Sequence, residues 1–384
     1  MMKKTVYFDS AASTRVHGDV LAVMVQFMRE GYGNPSSMHS RGRDAQSALC
    51  RARSSIADSI SADPNNIIFT SGGTEANNLA IFGVIDRLSF RGKHIITSAI
   101  EHSSVFQSMK KLEELGFEVT YLEPDKFGRI PSSSFAEALR DDTVFASIIH
   151  VNNEIGSLNP IGEYARAIKR RKLDIILHTD AVQSYCKIPF SLTSLNADLI
   201  SLSSHKLHGP LGAGALVVSE RSRITPMLLG GQHERGRRAG TEPLPAIVGF
   251  GEAVRLASSE TASHISNVKR LRSFAVNLIM AEISEYADIV FIGEGDSPYI
   301  LCFSLPGYKG EVLMNYLDGE GVCVSRGSAC KKGGHNRTLE AMKLPQSVAD
   351  GAIRVSFSRY STKEEVERLV EVLKAAAQSL AKTK

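Results

Sequence analysis

The chain between residues 66 and 88 has the sequence NIIFTSGGTEANNLAIFGVIDRL. Residues 66–70 have the apolar run of a buried strand, two glycines follow, and residues 74–88 have the apolar spacing of a helix. The same order recurs, with strands predicted at 94–98, 117–122, 144–150, 174–178, 198–202 and 213–218 and helices at 104–115, 135–139 and 164–171. Strands alternating with helices predict an α/β fold whose mainly parallel sheet is covered on both faces.

The C-terminal third of the chain has the pattern of a second, smaller α/β unit. A long helical stretch begins near Ala246 and continues through Ile283, and strands are predicted at 289–292, 300–304, 322–325 and 352–356. Helices are predicted near 310–317 and 337–342, and a final helix begins at Lys363. Because 384 residues exceed one usual core, we predict a large domain over residues 14–255 and a small domain over 1–13 and 256–384.

Composition favours a soluble, cytoplasmic protein. Hydrophobic residues make up 43% of the chain, but no stretch approaches the length of a membrane span. Lys3 and Lys4 near the N-terminus are not followed by the long apolar segment of a secretory signal. The net charge of +4 is too small to indicate nucleic-acid binding.

The five cysteines predict neither a disulfide framework nor a metal site. Their number is odd and their spacing irregular, which suits a reducing compartment. Cys50, Cys302 and Cys323 have apolar neighbours and are expected in the core. Cys330 lies between glycine and serine residues and the pair Lys331 and Lys332, so we expect an exposed, cationic loop. Nearby positive charge lowers a thiol pKa and favours the nucleophilic thiolate, although an incidental surface cysteine is the alternative.

Two charged residues follow neighbouring predicted strands. Asp180 comes after the strand 174–178, and Lys206 comes after the strand 198–202. Ligands of parallel sheets bind beyond the carboxyl ends of the strands. A lysine that forms a Schiff base and an aspartate that keeps a pyridine nitrogen protonated are what pyridoxal phosphate (PLP) requires. The alternative is a surface lysine and a capped, buried aspartate.

Further polar motifs also follow strands. Gly72 and Gly73 turn the chain into a helix whose N-terminus could bind an anion, or Ser71 or Thr74 could cap that helix. His102 could stack on a flat ring, or it could be a polar histidine at a helix start. An asparagine amide in the segment 152–153 could donate to a phenolic oxygen, or it could bond its own backbone in a turn.

Arginines mark two more candidate sites. The glycine-rich segment 235–241 carries Arg235, Arg237 and Arg238 and suits a phosphate or a carboxylate, or it is a solvated loop. Arg354 is predicted within a strand, where its fork could bind a carboxylate through two parallel hydrogen bonds or form a structural ion pair.

Taken together, these motifs resemble the cysteine desulfurases of the NifS/IscS type, in the class V aminotransferase branch of the fold-type I PLP enzymes. The resemblance extends over nearly the whole chain. It rests on residues 8–14, 33–37, 70–78, 101–102, 152–156, 178–181, 203–206, 233–236, 240–241, 325–330 and 354–356. It implies a large domain with a mainly parallel seven-stranded sheet sandwiched by helices, plus a smaller α/β C-terminal domain.

The resemblance also implies roles for residues at the cofactor. Lys206 would carry PLP covalently and Asp180 would pair with its ring nitrogen. Gln183 would hydrogen-bond the phenolic oxygen, Asn153 would lie beside that oxygen, and His102 would stack on the ring. The phosphate would be held by Gly73, Thr74, Ser203 and His205 and, from the neighbouring subunit of a homodimer, by Thr241.

The implied reaction converts L-cysteine to L-alanine. Arg354 would bind the substrate carboxylate with Asn34 and Asn153 close by, and Cys330 would accept the sulfur as a persulfide. A sulfur-acceptor protein would follow, in iron–sulfur cluster assembly, tRNA thiolation or DNA phosphorothioation. The alternatives are a selenocysteine lyase or another class V PLP lyase in which Cys330 is idle. A PLP-free adaptor is a third hypothesis, against which Lys206, Asp180, His102 and Cys330 argue.

Overall fold

The structure is a computed structural model and describes residues 5–259, 261–326 and 336–382. Its strands are β1 (Val6–Tyr7), β2 (Ile67–Thr70), β3 (His94–Ser98), β4 (Glu118–Leu122), β5 (Thr143–Ser147), β6 (Ile176–Asp180), β7 (Leu199–Ser203), β8 (Gly214–Val218), β9 (Val290–Ile292), β10 (Ile300–Ser304), β11 (Val322–Cys323) and β12 (Ala352–Ser356). Its helices are α1 (Gly18–Glu30), α2 (Ser40–Ser59), α3 (Gly73–Leu88), α4 (Ser103–Glu114), α5 (Ser132–Ala138), α6 (Ile161–Arg170), α7 (Leu192–Leu195), α8 (Leu244–Ser259), α9 (Thr261–Ile283), α10 (Gly310–Gly319), α11 (Arg337–Ala341), α12 (Gln346–Asp350) and α13 (Lys363–Ser379).

The predicted mainly parallel sheet is confirmed. Seven strands lie in the order β2-β8-β7-β6-β5-β3-β4, and only β8 runs antiparallel to its neighbours. The residues of β3, β5, β6 and β7 are all buried, as expected for strands with helices on both faces. Successive side chains point to opposite faces, so Ile95 and Ile96 belong to different apolar clusters. The parallel strands therefore direct their carboxyl ends to one common edge.

Four helices of the described residues were not predicted from the sequence, namely α1, α2 and the short α7 and α12. Helix α2 buries small residues at helical spacing, among them Ala45, Ala48 and Ala52, and it packs against α8 together with α1. Alanine carries a weak hydrophobic signal, so the buried face of α2 is easily overlooked. The helices and strands that were predicted are present, with ends that differ by a few residues.

The remaining strands form a separate unit with its own core. Strands β12, β10 and β9 make an antiparallel sheet, and β1 pairs with β11 in parallel. Phe8 packs edge to face against Phe357 in the core that α9, α10 and α13 complete. The N-terminal residues thus pack on the C-terminal unit. The boundaries 14–255 and 256–384 stay a prediction, and α8 continues to Ser259.

None of the helices within these described ranges is long and apolar enough to cross a membrane.

Candidate active site

A cavity of about 370 Å³ opens where β6 and β7 end, beside the N-terminus of α3. Most of the predicted site residues line it together, namely Gly73, Thr74, His102, Asn153, Asp180, Gln183, Ser203, His205, Lys206 and Arg354. Asp9, Ala11, Ala12 and Asn77 line it as well, and the sequence analysis gave none of these four a role. Residues from strand ends, one helix start and the N-terminal segment therefore meet in one place.

Asp180 is the last residue of β6 and is fixed by two donors. Its Oδ2 accepts a hydrogen bond from Asn77 Nδ2 at 2.7 Å, and its Oδ1 accepts one from the backbone N–H of Val182 at 3.0 Å. The residue is only 3% exposed, yet it lines the cavity. Asn77 lies one helical turn after Gly73 on α3, so the i, i+4 spacing within the 70–78 motif was the signal that could have identified it.

Lys206 ends the short 3₁₀ turn after β7. Its Nζ donates to the backbone oxygens of Ala11 at 2.6 Å and Ala12 at 2.7 Å. Burial and then the positive charge of Arg354 lower the pKa of Lys206, which is about 8 although the carboxylates of Asp180 and Asp9 act to raise it. A sizeable fraction of the amine is therefore neutral near pH 8, and the neutral amine is the nucleophilic form.

The start of α3 provides free backbone N–H groups at the cavity. The N-cap is Gly72, and no side chain caps this helix, so the alternative of a Ser71 or Thr74 cap is wrong. A Cβ at Gly73 would lie 2.7 Å from Val182 Cγ2, so the close approach of the backbone there requires glycine. Uncapped amides and the positive end of the helix dipole suit an anion.

Ser203 lies beside that helix start, and His205 lines the same cavity. Ser203 Oγ is buried and has no hydrogen-bond partner among the described residues. Burial lowers the pKa of His205 to about 4, with the charge of Lys206 adding to the effect, so the imidazole is neutral and can hydrogen-bond an anion without adding charge.

His102 is the N-cap of α4 and also lines the cavity. Its Nδ1 accepts a hydrogen bond from the backbone N–H of Ser104 at 3.2 Å and lies 2.8 Å from Ser104 Oγ. Because Nδ1 accepts from that backbone N–H, it carries no hydrogen, so Ser104 Oγ is the donor in the contact with His102 Nδ1, while it accepts from Asn77 Nδ2. Burial lowers the pKa of His102, and the neutral ring then carries its hydrogen on Nε2. The polar histidine at a helix start is confirmed, and the same ring remains available to the cavity.

Arg354 reaches the cavity from β12 and is 3% exposed. Its Nη2 lies 2.7 Å from Asp9 Oδ1, and its Nη1 donates to the backbone oxygen of Asn153 at 2.7 Å. Its Nε is buried without a hydrogen-bond partner among the described residues. The structural ion pair is therefore present, whereas the binding of a substrate carboxylate stays a prediction.

Comparison with known proteins places this architecture in a family. The model of the class-V aminotransferase family matches residues 6–369. The chain belongs to the class-V aminotransferase family. Among its relatives is the cysteine desulfurase IscS of Dictyoglomus turgidum, which is 42% identical over 99% of this chain and 96% of the relative.

Solved structures agree with this membership. A NifS-like protein superimposes with a TM-score of 0.92 at 35% identity and covers 98% of this chain and 100% of its own. A structure described as SspA in complex with cysteine has a TM-score of 0.79 at 35% identity, covering 93% of this chain and 100% of its own. The fold predicted for this class-V aminotransferase from its motifs is thereby confirmed.

Two of the predicted site residues that the structure describes do not line the cavity, namely Asn34 and Thr241. Asn34 is exposed, and its Oδ1 accepts from the backbone N–H of Ser36 at 2.8 Å. Thr241 is exposed and lies outside the cavity. Cys330 lies outside the described residues. The roles of all three stay predictions.

The loop before Thr241 is held by ion pairs of its own. Arg238 pairs with Glu75 in the first turn of α3 at 2.8 Å, so one of its three arginines is already occupied. Glu234 forms a buried pair with Arg53 at 2.7 Å and accepts from the backbone N–H of Phe69. These contacts tie the loop to β2 and α3. The binding of an anion by the segment 235–241 stays a prediction.

Three cysteine predictions can be compared with the structure, and Cys323 on β11 is only partly buried instead of lying fully in the core. Cys302 on β10 is buried, as expected, whereas Cys50 on α2 is exposed, so its predicted core position is wrong. Cys50 follows Leu49 on the helix, and Leu49 faces the core while the next position faces outward.

Proposed function

We propose that this class-V aminotransferase is a PLP-dependent cysteine desulfurase. It would convert L-cysteine to L-alanine and transfer the sulfur to Cys330 as a persulfide. The observation that carries the proposal is the cavity that contains Lys206, the doubly fixed carboxylate of Asp180 and the buried Arg354. The curated relative from Dictyoglomus turgidum bears the name cysteine desulfurase.

The residues present fit PLP. The uncapped start of α3 with Gly73 and Thr74, the unpartnered Ser203 Oγ and the neutral His205 suit its phosphate. Asp180 would pair with the ring nitrogen, and the ring of His102 would stack on the pyridine.

Gln183 and Asn153 are the residues proposed at the phenolic oxygen. Gln183 Nε2 donates to the backbone oxygen of Ala11 at 2.8 Å, which leaves its second amide hydrogen for another acceptor. Gln183 Oε1 is buried and has no partner among the described residues, as a polar atom facing an absent ligand would be. Asn153 lines the same cavity as Gln183.

Lys206 would move protons at the substrate. When bound, PLP supplies the aldehyde that joins an amine and the protonated ring that accepts an electron pair from the substrate Cα. Lys206 Nζ, neutral in part near pH 8, would take the Cα proton. Asp180 would keep the ring nitrogen protonated, and Arg354 would hold the substrate carboxylate.

Cys330 would receive the sulfur. Its thiolate attacks the sulfur of the bound substrate, so a sulfur–sulfur bond forms, the Cβ–S bond breaks, and the electron pair of that bond stays with the carbon skeleton. The skeleton leaves as alanine after protonation. Lys331 and Lys332 follow Cys330 in the sequence, and positive charge favours a thiolate.

The partners and surroundings are also part of the proposal. We expect a homodimer in which Thr241 of each subunit reaches the phosphate of the other, and a protein that collects the persulfide sulfur. Iron–sulfur cluster assembly, tRNA thiolation and DNA phosphorothioation stay open as its destination. A cytoplasmic location agrees with a reactive thiolate.

Replacement of Cys330 by alanine tests the reaction. The C330A variant is expected to lose sulfide release from L-cysteine while it still binds PLP, because the cofactor contacts lie elsewhere. The matched control is C50A, which removes an exposed cysteine and should retain full activity. Full sulfide release by C330A would show that the persulfide role is wrong.

A further inference from the structure

The N-terminal segment 8–12 lies between two groups that the proposed reaction needs. It runs beside β12, where Ser356 donates its backbone N–H to Phe8 at 2.7 Å and Ser356 Oγ accepts from the backbone N–H of Ala11 at 2.9 Å. The backbone oxygens of Ala11 and Ala12 in turn accept the Lys206 amine. One short segment therefore contacts both the strand that carries Arg354 and the lysine at the opposite end of the substrate.

Asp9 is the side chain of this segment that touches Arg354. Arg354 and Ser356 lie two residues apart on β12 and so point to the same face, which is the face that the segment covers. Asp9 binds Arg354 through one oxygen and one nitrogen, Oδ1 and Nη2. It also lines the cavity, and its side chain is 24% exposed against 4% for Arg354.

The contacts of Arg354 leave part of its fork free. A guanidinium has five N–H groups in a fixed plane. Asp9 and the backbone oxygen of Asn153 hold the two terminal nitrogens, and Nε has no hydrogen-bond partner among the described residues. These two contacts fix the plane of the Arg354 guanidinium. N–H groups remain that could donate to the carboxylate of a ligand, in addition to that of Asp9.

We propose that Asp9 is a positioning residue that orients Arg354 for the carboxylate of an α-amino acid. The segment 8–12 then sets the distance between that carboxylate and the Lys206 amine, and thus selects ligands with an amine and a carboxylate on one carbon. This inference rests on the proposed function, because it takes the ligand to be an amino acid.

Loss of Asp9 should weaken the binding of a carboxylate and leave the binding of an amine unchanged. A hydrogen bond between charged groups contributes enough that its removal corresponds to about tenfold or more in affinity. D9A removes the anchor. D9N keeps an acceptor oxygen at the same place without the charge, so it is expected to lose less affinity than D9A.

The experiment measures dissociation constants by calorimetry on the PLP-loaded protein. L-alanine provides the amine and the carboxylate, and L-alaninamide provides the amine alone. D9A should bind L-alanine about tenfold or more weakly than the wild type and bind L-alaninamide as the wild type does. The KM for L-cysteine should rise by the same factor with kcat little changed. D141A is the control, because the Asp141 side chain is 98% exposed.

Several outcomes would overturn the role of Asp9. Unchanged L-alanine binding by D9A would do so, and so would equal losses for L-alanine and L-alaninamide, which indicate a disturbed cofactor or fold. If D9A does not fold, D9N is compared in the same way, and an affinity identical to the wild type combined with an unchanged KM contradicts the proposal. Binding of L-alanine requires no sulfur chemistry. A protein that obeys these binding rules yet releases no sulfide would contradict the desulfurase function alone.

Discussion

The cavity has two walls of different origin. One wall is built from the seven-stranded sheet and α3, where Asp180, Lys206 and Gly73 each follow or begin a regular element. The other is built from the N-terminal segment and β12, where Asp9 meets a partner 345 positions away, Arg354. The first wall suits a cofactor, and the second suits the substrate carboxylate.

The two walls differ in how their residues are held in place, and we expect them to differ in function. The sheet wall is rigid, because its strands are buried on both faces and Asp180 is fixed by two donors. The second wall belongs to the smaller unit, since residues of β1 and β12 lie in the core of that unit. Changes in the first wall should therefore affect cofactor chemistry, and changes in the second should affect substrate affinity.

Removal of the Lys206 amine should have the largest effect on the sheet wall. K206A is expected to lose covalent PLP and to lower kcat by about 10²- to 10⁴-fold, because both the nucleophilic amine and the general base are lost. The measurements are the visible absorbance of bound PLP and sulfide release. K169A is the control, since Lys169 is an exposed residue of α6. Covalent PLP on K206A would place the attachment at another lysine.

Asn77→Ala should have a smaller effect on the same wall. It removes the donor to Asp180 Oδ2 and the link through Ser104 to His102. Loss of a hydrogen bond to a charged group predicts a fall of about tenfold in kcat, with KM for L-cysteine little changed. Asn78→Ala is the control, because the side chain bonds to the backbone oxygen of Thr74 and to the hydroxyl of Ser108 and to neither Asp180 nor His102 among the described residues. A rise in KM without a fall in kcat would contradict the division between the walls.

The smallest expected effect is that of Arg354, on the second wall, on the pH dependence of PLP attachment to Lys206, on the sheet wall. The pKa of Lys206 is lowered to about 8 by burial and then by Arg354, so deprotonation and attachment should increase as the pH rises through about 8. The rate of absorbance change on addition of PLP to the apoprotein measures this midpoint. In R354Q the neighbouring positive charge is gone, and the midpoint should move upward. A midpoint that stays in place in R354Q would mean that the charge of Arg354 does not reach Lys206.

The sequence predicted the sheet wall better than the second wall. The strands preceding Asp180 and Lys206 are regular, and parallel strands align their carboxyl ends whatever the details of packing. Asn77 lay inside a recognised motif but drew no attention, because its partner is 103 positions away. Asp9 and Arg354 both lie in motifs that the sequence analysis used. Their ion pair could not be predicted, because a contact between residues so far apart in the chain produces no local sequence pattern. Helix α2 was overlooked because its buried face is rich in small residues, whereas α1 was overlooked although Val20, Met24 and Phe27 have helical apolar spacing.

Mass spectrometry after incubation with L-cysteine detects the transfer of sulfur to Cys330. An increment of about 32 Da, one sulfur atom, is expected on the peptide that contains Cys330, together with L-alanine as the product. The increment should be absent from K206A, which lacks the amine that begins the reaction. Alanine formation without sulfur on Cys330, or sulfur on Cys50 instead, would contradict that transfer.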